Sequence, residues 1–409
     1  MKTYRKHITL IALLFIFSLL FQSKVYTQWD VISTINTTSL NCVKFFDSNT
    51  GLTCGAGGIW KSTNSGVNWT NVQTASNLYS ISFPVSNTGY CVGDSGAVYK
   101  TTNNGINWVF IGSPTVNNLY GTSFTTENIG YAVGQNGIIL RTQNGGSTWN
   151  SQFNPIPEAL YAIYMKNAST AFGVGSTNAE RYISTGNSGM NWIYTINVGG
   201  NSLKALALFN TYKLEVVGTN GLIRYSTNAG GQWSLINSGT SAQLNSIVFP
   251  DTSNGYIAGN SGIILRSTNS GLNWQQQTSS TSYNLKSITF INTTSGWAVG
   301  QNGIVIRTGI PVSIMPITGK VPEQFRIYQN YPNPFNSTSK IIFELPRIGN
   351  ISIDLISVEG KILDNLLDNL LTPGKYCIIL NANNYSSGIY FIKAIYNKNI
   401  FSIKLMLIK

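Results

Sequence analysis

A short motif that ends in tryptophan recurs at nearly even intervals between residues 62 and 274. Its six copies are STNSGVNW (62–69), TTNNGINW (101–108), TQNGGSTW (142–149), NSGMNW (187–192), STNAGGQW (226–233) and STNSGLNW (267–274). Successive tryptophans lie 39 to 43 residues apart. A period near forty residues, with a turn at a fixed offset, indicates a repeat protein in which each unit is one supersecondary element.

Each unit contains four short apolar runs separated by glycine, asparagine and serine. In the sixth unit these runs are Leu244–Phe249, Gly255–Gly259, Ile263–Arg266 and Trp274–Gln277. Short runs bounded by turn residues predict antiparallel strands, and four strands per unit predict the blade of a β-propeller. The leucine that begins each unit occurs seven times, at Leu40, Leu78, Leu119, Leu160, Leu203, Leu244 and Leu285.

The seventh unit ends at Thr308 without a tryptophan of its own, whereas Trp29 precedes Trp69 by 40 residues. We therefore expect the mature N-terminus to provide the outer strand of the seventh blade, because an unfinished sheet would leave open edges. The prediction for residues 28–308 is an all-β, seven-bladed β-propeller that is closed by the strand beginning at Trp29.

The recurring turns are assigned a structural role. Asparagine tolerates left-handed backbone and bonds nearby amides, and the glycine two residues later adopts positive φ at little cost. The asparagines and tryptophans concerned are Asn64, Trp69, Asn103, Trp108, Asn144, Trp149, Asn187, Trp192, Asn228, Trp233, Asn269 and Trp274. These turns resemble the Asp-box of sialidases and related propellers, with asparagine replacing aspartate in all six copies. In that family the box is a folding element remote from the active site, so the resemblance implies fold rather than chemistry.

Longer units, such as GYAVGQNGIILRTQNGGSTW (130–149) and GYIAGNSGIILRSTNSGLNW (255–274), resemble the repeats of the photosystem II assembly and stability factor family. The resemblance covers most of residues 28–308 and implies a seven-bladed propeller. It also implies a basic surface patch, since those factors use arginines on their propeller to hold a partner protein.

A cation precedes the turn in five of the seven units, at Lys61, Lys100, Arg141, Arg266 and Arg307. Two interpretations remain open. The cations form a shared binding surface, as the resemblance implies, or each one braces its own hairpin. In the second case Arg266 lies across from Trp274 and stacks on its indole ring.

Residues 1–27 are predicted to be a signal peptide, with Lys2, Arg5 and Lys6 before the apolar run from Ile8 to Phe21. Removing them lowers the net charge from +12 to +8 and takes away His7, the only histidine. Catalytic triads and zinc sites that need imidazole are thereby excluded from the mature chain.

The 12 basic and 8 acidic residues of 28–319 are spread out, so we expect no nucleic-acid partner. No other long apolar run predicts a membrane segment.

The four cysteines are Cys42, Cys54, Cys91 and Cys377. They form neither a dense disulfide framework nor a CxxC motif. Cys42 and Cys54 lie on neighbouring predicted strands, but strand alternation is expected to place them on opposite faces. We expect the cysteines to be small buried apolar residues.

The forty-residue period stops after Thr308, and the composition changes. Residues 309–322, which contain Pro311, Pro316 and Pro322, are predicted to be a semi-rigid linker. Residues 323–409 contain about seven short alternating runs and predict a small antiparallel β-sandwich.

The segments QNYPNPFN (329–336), VEGK (358–361) and SGIYF (387–391), with the terminal residues 404–409, resemble the type A sorting domain of the type IX secretion system. This resemblance implies a bacterium of the Bacteroidetes or their relatives, the type IX machinery as partner, and a protein that is secreted or displayed on the cell surface.

The leading hypothesis is a monomeric, non-enzymatic propeller that binds a protein or glycan partner. The alternatives are a sialidase-like extracellular glycoside hydrolase and an assembly chaperone for a membrane complex. A hydrolase needs two converging carboxylates, whereas no two propeller acids lie close in sequence and the Phe-Arg-Ile-Pro element expected of a sialidase is absent. We assign no catalytic residue, no metal ligand and no cofactor.

Overall fold

The computed structural model describes residues 29–154, 157–176, 179–197, 200–308, 315–317, 322–371, 373–382 and 385–409. The predicted signal peptide and most of the predicted linker lie outside these ranges. The described residues form β-strands and four single-turn 3-10 helices, at Asp94–Gly96, Gln135–Gly137, Thr219–Gly221 and Asn260–Gly262, and contain no α-helix. The all-β prediction is confirmed.

Seven four-stranded antiparallel sheets account for the strands between residues 30 and 308 that the structure describes. The first strand is β1 (Asp30–Thr34). Sheets 1 to 3 consist of β2 (Leu40–Phe45), β3 (Gly51–Gly55), β4 (Gly57–Ser62) and β5 (Thr70–Ala75); β6 (Leu78–Ser82), β7 (Gly89–Gly93), β8 (Val98–Thr101) and β9 (Val109–Phe110); and β10 (Leu119–Phe124), β11 (Gly130–Gly134), β12 (Ile139–Thr142) and β13 (Asn150–Ser151). Sheets 4 to 6 consist of β14 (Leu160–Met165), β15 (Ala171–Gly175), β16 (Glu180–Thr185) and β17 (Ile193–Asn197); β18 (Leu203–Leu208), β19 (Leu214–Gly218), β20 (Ile223–Ser226) and β21 (Ser234–Ile236); and β22 (Leu244–Val248), β23 (Gly255–Gly259), β24 (Ile264–Ser267) and β25 (Gln275–Gln277).

Sheet 7 combines the two ends of this region. Its strands are β26 (Leu285–Phe290), β27 (Gly296–Gly300), β28 (Ile304–Thr308) and β1, in the order β1-β28-β27-β26. β1 runs antiparallel to β28 and pairs Asp30 with Arg307 and Thr34 with Ile304. The N-terminal strand therefore occupies the fourth position that the other sheets fill with their own last strand.

The first strands of the seven sheets contact one another in chain order, and β26 of sheet 7 contacts β2 of sheet 1. Serine side chains connect these strands across the sheet boundaries. Ser80 accepts a hydrogen bond from the Thr122 amide at 3.2 Å, and Ser287 accepts one from the Val43 amide at 3.2 Å. The first strand of a sheet has a free edge, so these serines satisfy amides that its own sheet leaves unpaired.

The second strand of every sheet is buried along its whole length. Both faces of this strand pack against neighbouring sheets, which explains why its sequence is a short apolar run between glycines rather than an alternating pattern. Aromatic rings fill the junctions. Tyr90 stacks on Phe124 at 3.7 Å and Trp297 stacks on Phe45 at 3.8 Å between ring centroids.

The six asparagine–tryptophan turns share one hydrogen-bond pattern. The asparagine Oδ1 accepts from the amide four residues later, and the preceding Ser or Thr hydroxyl accepts from the glycine amide four residues after it. The asparagine acceptors are Asn64, Asn103, Asn144, Asn187, Asn228 and Asn269, at 2.9 to 3.0 Å. The left-handed residue is the one after the asparagine, such as Ala229 with φ of 56°, and the next glycine also has positive φ. The asparagine acts through its side chain rather than through its own backbone conformation.

Two further four-stranded sheets lie in the C-terminal part that the structure describes. Sheet 8 has the order β29-β34-β31-β30 and sheet 9 the order β33-β32-β35-β36. The strands are β29 (Met315–Ile317), β30 (Arg326–Ile327), β31 (Thr338–Leu345), β32 (Gly349–Ile356), β33 (Ile362–Leu371), β34 (Gly374–Asn381), β35 (Gly388–Tyr396) and β36 (Asn399–Leu407). Alternating residues of both sheets, including Ile341, Ile353 and Ile392, bury one shared hydrophobic core.

Cys42 and Cys54 lie directly opposite each other on β2 and β3. The expectation that they occupy opposite faces is wrong. The hairpin pairs Phe45 with Gly51, and counting outward from that pair brings residue 42 against residue 54. Side chains of directly opposed residues project to the same face of a sheet.

Candidate functional site

Of the five cations singled out in the sequence, the two lysines contact the next sheet and the three arginines contact an aromatic ring of their own sheet. Lys61 donates a hydrogen bond to the Asn104 carbonyl at 2.7 Å, and Lys100 donates one to the Gly145 carbonyl at 2.9 Å. Each carbonyl belongs to the turn of the next sheet. Arg141, Arg266 and Arg307 place their guanidinium groups 4.8 to 5.8 Å from the centre of an aromatic ring.

The expected stacking of Arg266 on Trp274 is wrong. Arg266 pairs across the sheet with Tyr256 on one side and with Gln275 on the other. Its guanidinium lies 5.7 Å from the centre of the Tyr256 ring. The turn is one residue longer than the predicted hairpin, so Trp274 precedes the fourth strand and its ring packs edge-on against Phe249 at 6.0 Å.

We expect Arg266→Ala to lower the free energy of unfolding by about 1–2 kcal/mol, because it removes a cation–π contact and the packing of a half-buried side chain. The measurement is urea denaturation, with Lys44→Ala as a control because Lys44 is an exposed strand cation. Loss of stability with unchanged affinity for a partner would leave only the structural interpretation of these cations. Weaker partner binding at unchanged stability would instead favour the binding surface.

Trp29 occupies, in sheet 7, the place that the turn tryptophans occupy in other sheets. Its ring is fully buried and lies edge-on to Phe290 at 5.7 Å and to Tyr256 at 6.5 Å. Trp69 approaches Phe45 edge-on at 5.9 Å in the same way. The Trp29 indole also donates a hydrogen bond to Gln277 Oε1 at 3.0 Å, and its backbone forms hydrogen bonds with Thr278 and Ser280 in the segment that follows β25.

Three acidic residues of the seven sheets have separate structural partners. Asp251 accepts from the Ser253 and Asn254 amides in a turn, and Glu158 forms an ion pair with Arg181 at 3.2 Å. Buried Glu180 pairs with Arg224.

Within the described ranges, no group of three or more His, Cys, Asp and Glu side chains is arranged to hold a metal ion. None of the residues that the structure describes forms a helix with the length and hydrophobicity that a membrane span requires.

A second constellation, which the sequence analysis did not identify, lies on the seven first strands. In each sheet the pairing of the first and second strands shifts by one residue immediately after the leading leucine. Such β-bulges redirect a side chain away from the regular alternation. The bulge residues, which we call the bulge ring, are Asn41, Tyr79, Tyr120, Tyr161, Lys204, Asn245 and Lys286.

Three tyrosines from consecutive sheets form an aromatic arc in the bulge ring. The ring centroids of Tyr79 and Tyr120 lie 5.1 Å apart, and the two rings are edge-on. The ring centroids of Tyr120 and Tyr161 lie 5.6 Å apart, and their planes are tilted. The Tyr79 hydroxyl donates to Asp94 Oδ1 at 2.8 Å. Burial and the neighbouring Asp94 carboxylate raise the pKa of Tyr79 to about 12. The Tyr79 phenol therefore keeps its proton near pH 7, and all three tyrosines are half-buried.

Lysines continue the ring beyond the aromatic arc. The Lys204 ammonium lies 3.7 Å from the centre of the Tyr161 ring. Burial lowers the pKa of Lys204, and the positive charge of Lys286 lowers it further. The two asparagines bridge neighbouring sheets, since Asn41 donates to the Leu78 carbonyl at 2.8 Å and Asn245 donates to the Leu285 carbonyl at 2.6 Å.

The bulge ring combines aromatic faces, amide groups and cations at one level of the seven inner strands. Tyrosine gives large contact area at small entropic cost, and half-buried cations favour polar or acidic groups of a ligand. The sequence signal was the residue after each recurring leucine. The bulge itself breaks the two-residue alternation, since Leu244 is followed by Ile247 and Phe249, and the sequence analysis did not use this break.

Comparison with protein-family models gives two matches. The model described as photosynthesis system II assembly factor YCF48 matches residues 100–246 and 235–309, together just over half of the chain. The model described as secretion system C-terminal sorting domain matches residues 329–409. No curated protein sequence matches the chain.

Solved structures that resemble the chain include two of YCF48 and a WD40 propeller. A structure titled YCF48 bound to D1 peptide is 21% identical with a TM-score of 0.58, and the match covers 68% of this chain and 94% of the other. YCF48 from Cyanidioschyzon merolae is 15% identical with a TM-score of 0.57, covering 68% and 98%. The WD40 propeller domain of Doa1 is 11% identical with a TM-score of 0.56, covering 68% and 96%. These similarities show a propeller-like fold.

The sorting-domain match agrees with the resemblance noted in residues 323–409 and supports export by secretion or to the cell surface. The repeat match agrees with the resemblance noted in units 130–149 and 255–274. This chain belongs to the photosynthesis system II assembly factor YCF48 family and carries a type IX secretion C-terminal sorting domain.

Proposed function

We propose that the protein is an exported, non-enzymatic, seven-bladed propeller that binds a macromolecular partner through the bulge ring. The single observation that carries this proposal is the repetition of the bulge. Seven sheets each direct one half-buried side chain from the same position, and these are mainly tyrosines and lysines.

The architecture behind this proposal is a closed ring of seven blades. Its support is the pairing of β1 with β28 and the contact between the first strands of sheets 7 and 1. Sheets 8 and 9, which share one core, form the C-terminal sandwich. A ring that connects its ends in this way leaves no long sheet edge open to aggregation.

The proposed route begins with residues 1–27, which direct the chain to the periplasm. The sorting domain then delivers it through the type IX machinery across the outer membrane of a Bacteroidetes-like cell. The mature protein stays on the cell surface or is released as a monomer. A secretion sorting domain of this kind supports export, and the route is part of the proposal.

The partner is a protein or a glycan, and a polypeptide segment is favoured. A propeller of similar fold has been solved with a peptide bound. Tyrosine-rich surfaces supply the anchoring residues of many protein interfaces. A glycan would use the same aromatic faces, and this possibility defines the second arm of the test.

We expect Tyr120→Ala to weaken partner binding at least about tenfold, corresponding to about 1.4 kcal/mol, because Tyr120 contacts both neighbouring tyrosines of the arc. The measurement is a quantitative pull-down of cell-surface proteins together with a glycan array. Tyr212→Ala is the matched control, because Tyr212 is a tyrosine outside the bulge ring that is 60% exposed. Like Tyr161, it has a lysine over its ring, with Lys166 Nζ 5.0 Å from the ring centre. Equal binding by the wild type and Tyr120→Ala would contradict the proposal.

A further inference from the structure

Three cysteines gather where sheets 1 and 2 meet. Cys42 on β2 and Cys54 on β3 are directly opposed, and Cys91 lies on β7 of the next sheet. Cys54 and Cys91 are fully buried in one hydrophobic cluster against which partly buried Cys42 packs. All three are free thiols in the structure, and they share one apolar cluster that the binding function does not use.

The backbone geometry of the opposed pair fits a covalent bond. Directly opposed residues of antiparallel strands have Cα atoms about 4.5–5.5 Å apart. Disulfides need Cα atoms roughly 4.4–6.8 Å apart and Cβ atoms that face each other. Opposed positions on one sheet face satisfy both conditions, whereas Cys91 reaches the pair only from a neighbouring sheet.

We propose that Cys42 and Cys54 are joined by a disulfide in the exported protein, while Cys91 remains a buried thiol beside it. The bond would tie the first two strands of sheet 1 together next to the bulge at Asn41. It would therefore hold the register of a strand that contributes to the bulge ring, without taking part in binding.

The oxidation is a thiol–disulfide exchange with a small-molecule or protein disulfide as the oxidant. The thiolate of one cysteine attacks one sulfur of the oxidant, which breaks the S–S bond of the oxidant. A mixed disulfide forms between the cysteine and that half of the oxidant, and the other half leaves as a thiol. The second thiolate then attacks the protein sulfur and releases the bound half of the oxidant as a second thiol. Two electrons and two protons pass from the cysteine pair to the oxidant.

This exchange has to take place before the sheets are fully packed. In the folded protein, mutual hydrogen bonding of the two thiols, followed by burial, raises the pKa of Cys42. Burial raises the pKa of Cys54 well above its ordinary value. Only thiolates react, so Cys42 and Cys54 would oxidise slowly once the junction of sheets 1 and 2 has closed around them.

The test uses the processed chain, residues 28–409, refolded from the reduced, denatured state in a buffer of oxidised and reduced glutathione. Free thiols are then alkylated in denaturant, and the chain is digested with trypsin without reduction. The digest suits the question because Cys42, Cys54 and Cys91 fall on three separate peptides that end at Lys44, Lys61 and Lys100. Refolding in glutathione makes the result independent of export and of partner binding.

We expect the peptides ending at Lys44 and Lys61 to be recovered as one disulfide-linked pair, and the peptide ending at Lys100 to be alkylated. Recovery of all peptides in alkylated form, or of Cys91 within the bridge, would overturn the proposal. Cys91→Ala should keep the linked pair, and Cys54→Ala should abolish it. If a variant does not fold, the peptide map of the wild type still decides the question.

Discussion

Replacing Trp29 with alanine is expected to lower the free energy of unfolding by about 3–5 kcal/mol, the usual cost of truncating a large core residue. The side chain is fully buried and belongs to the core cluster formed between sheets 6 and 7. The substitution removes its edge-on contacts with Phe290 and Tyr256 and leaves Gln277 without the indole donor. It also weakens the attachment of β1, the N-terminal strand that pairs with β28 and completes sheet 7.

The measurement is the midpoint and slope of guanidinium denaturation. Val31→Ala is the matched control, because Val31 lies on β1, two residues after Trp29, and is 44% exposed. Trp29→Phe should recover part of the loss, since it keeps an aromatic ring in the same place. If Trp29→Ala and Val31→Ala unfolded at the same denaturant concentration, β1 would be dispensable for the stability of the seven sheets.

The place of Trp29 in sheet 7 could be inferred from the sequence, because its distance from Trp69 equals one repeat period. Trp29 lies 40 residues before Trp69, and the last unit lacks a tryptophan. The same regularity predicted the strands and their order within each unit. The repeat period predicts structure here because equivalent residues of successive units pack against their neighbours in the same way.

The bulge ring was not inferred in this way. A bulge depends on how two strands are paired, and its local signal is a break in alternation, since Leu285 is followed by Ile288 and Phe290, three and five positions later. The first strands were treated as regularly alternating runs, so Tyr120 and Lys204 were not identified as displaced residues. The face of Cys42 and the partner of Arg266 were wrongly predicted for a related reason, since one residue in a turn changes every cross-strand neighbour.

Sheet 5 departs from the junction chemistry of the other sheets. In sheets 2, 3, 6 and 7 an aromatic residue on the second strand faces a cation on the third, as Tyr256 faces Arg266. In sheet 5 the corresponding pair is Glu215 and Tyr225. The aromatic position thus holds a carboxyl group, and Phe209 supplies the ring that stacks on Phe249, at 3.9 Å.

Glu215 is fully buried, and neither of its carboxylate oxygens has a hydrogen-bond partner among the residues that the structure describes. Gly271, with φ of 81°, lies over the carboxylate, and any side chain there would collide with it. Burial raises the pKa of Glu215 well above its ordinary value of 4.5, and the nearby indole of Trp274 offsets this only in part. A carboxyl group in such a place is more stable with its proton than without it.

We expect the stability of the wild type to decrease relative to that of Glu215→Gln as the pH rises from 4 to 8. The folded-state pKa lies above the unfolded value, so the folded chain binds this proton more tightly. Its stabilising contribution is complete below the unfolded pKa of about 4.5 and is lost as the pH rises through the folded-state pKa. Glutamine has nearly the same shape and no titrating proton, so its profile lacks this component.

Denaturation curves at pH 4, 6 and 8 measure the difference between the two chains at each pH, which cancels the titration of all other groups. Glu127→Gln is the matched control, because it makes the same substitution at a carboxylate that is exposed at a turn of sheet 3. A constant difference for Glu215→Gln would mean that Glu215 is ionised or hydrated in the folded protein. An increasing advantage of glutamine would show that the junction between sheets 5 and 6 contains a neutral carboxyl group and is loosened by its ionisation.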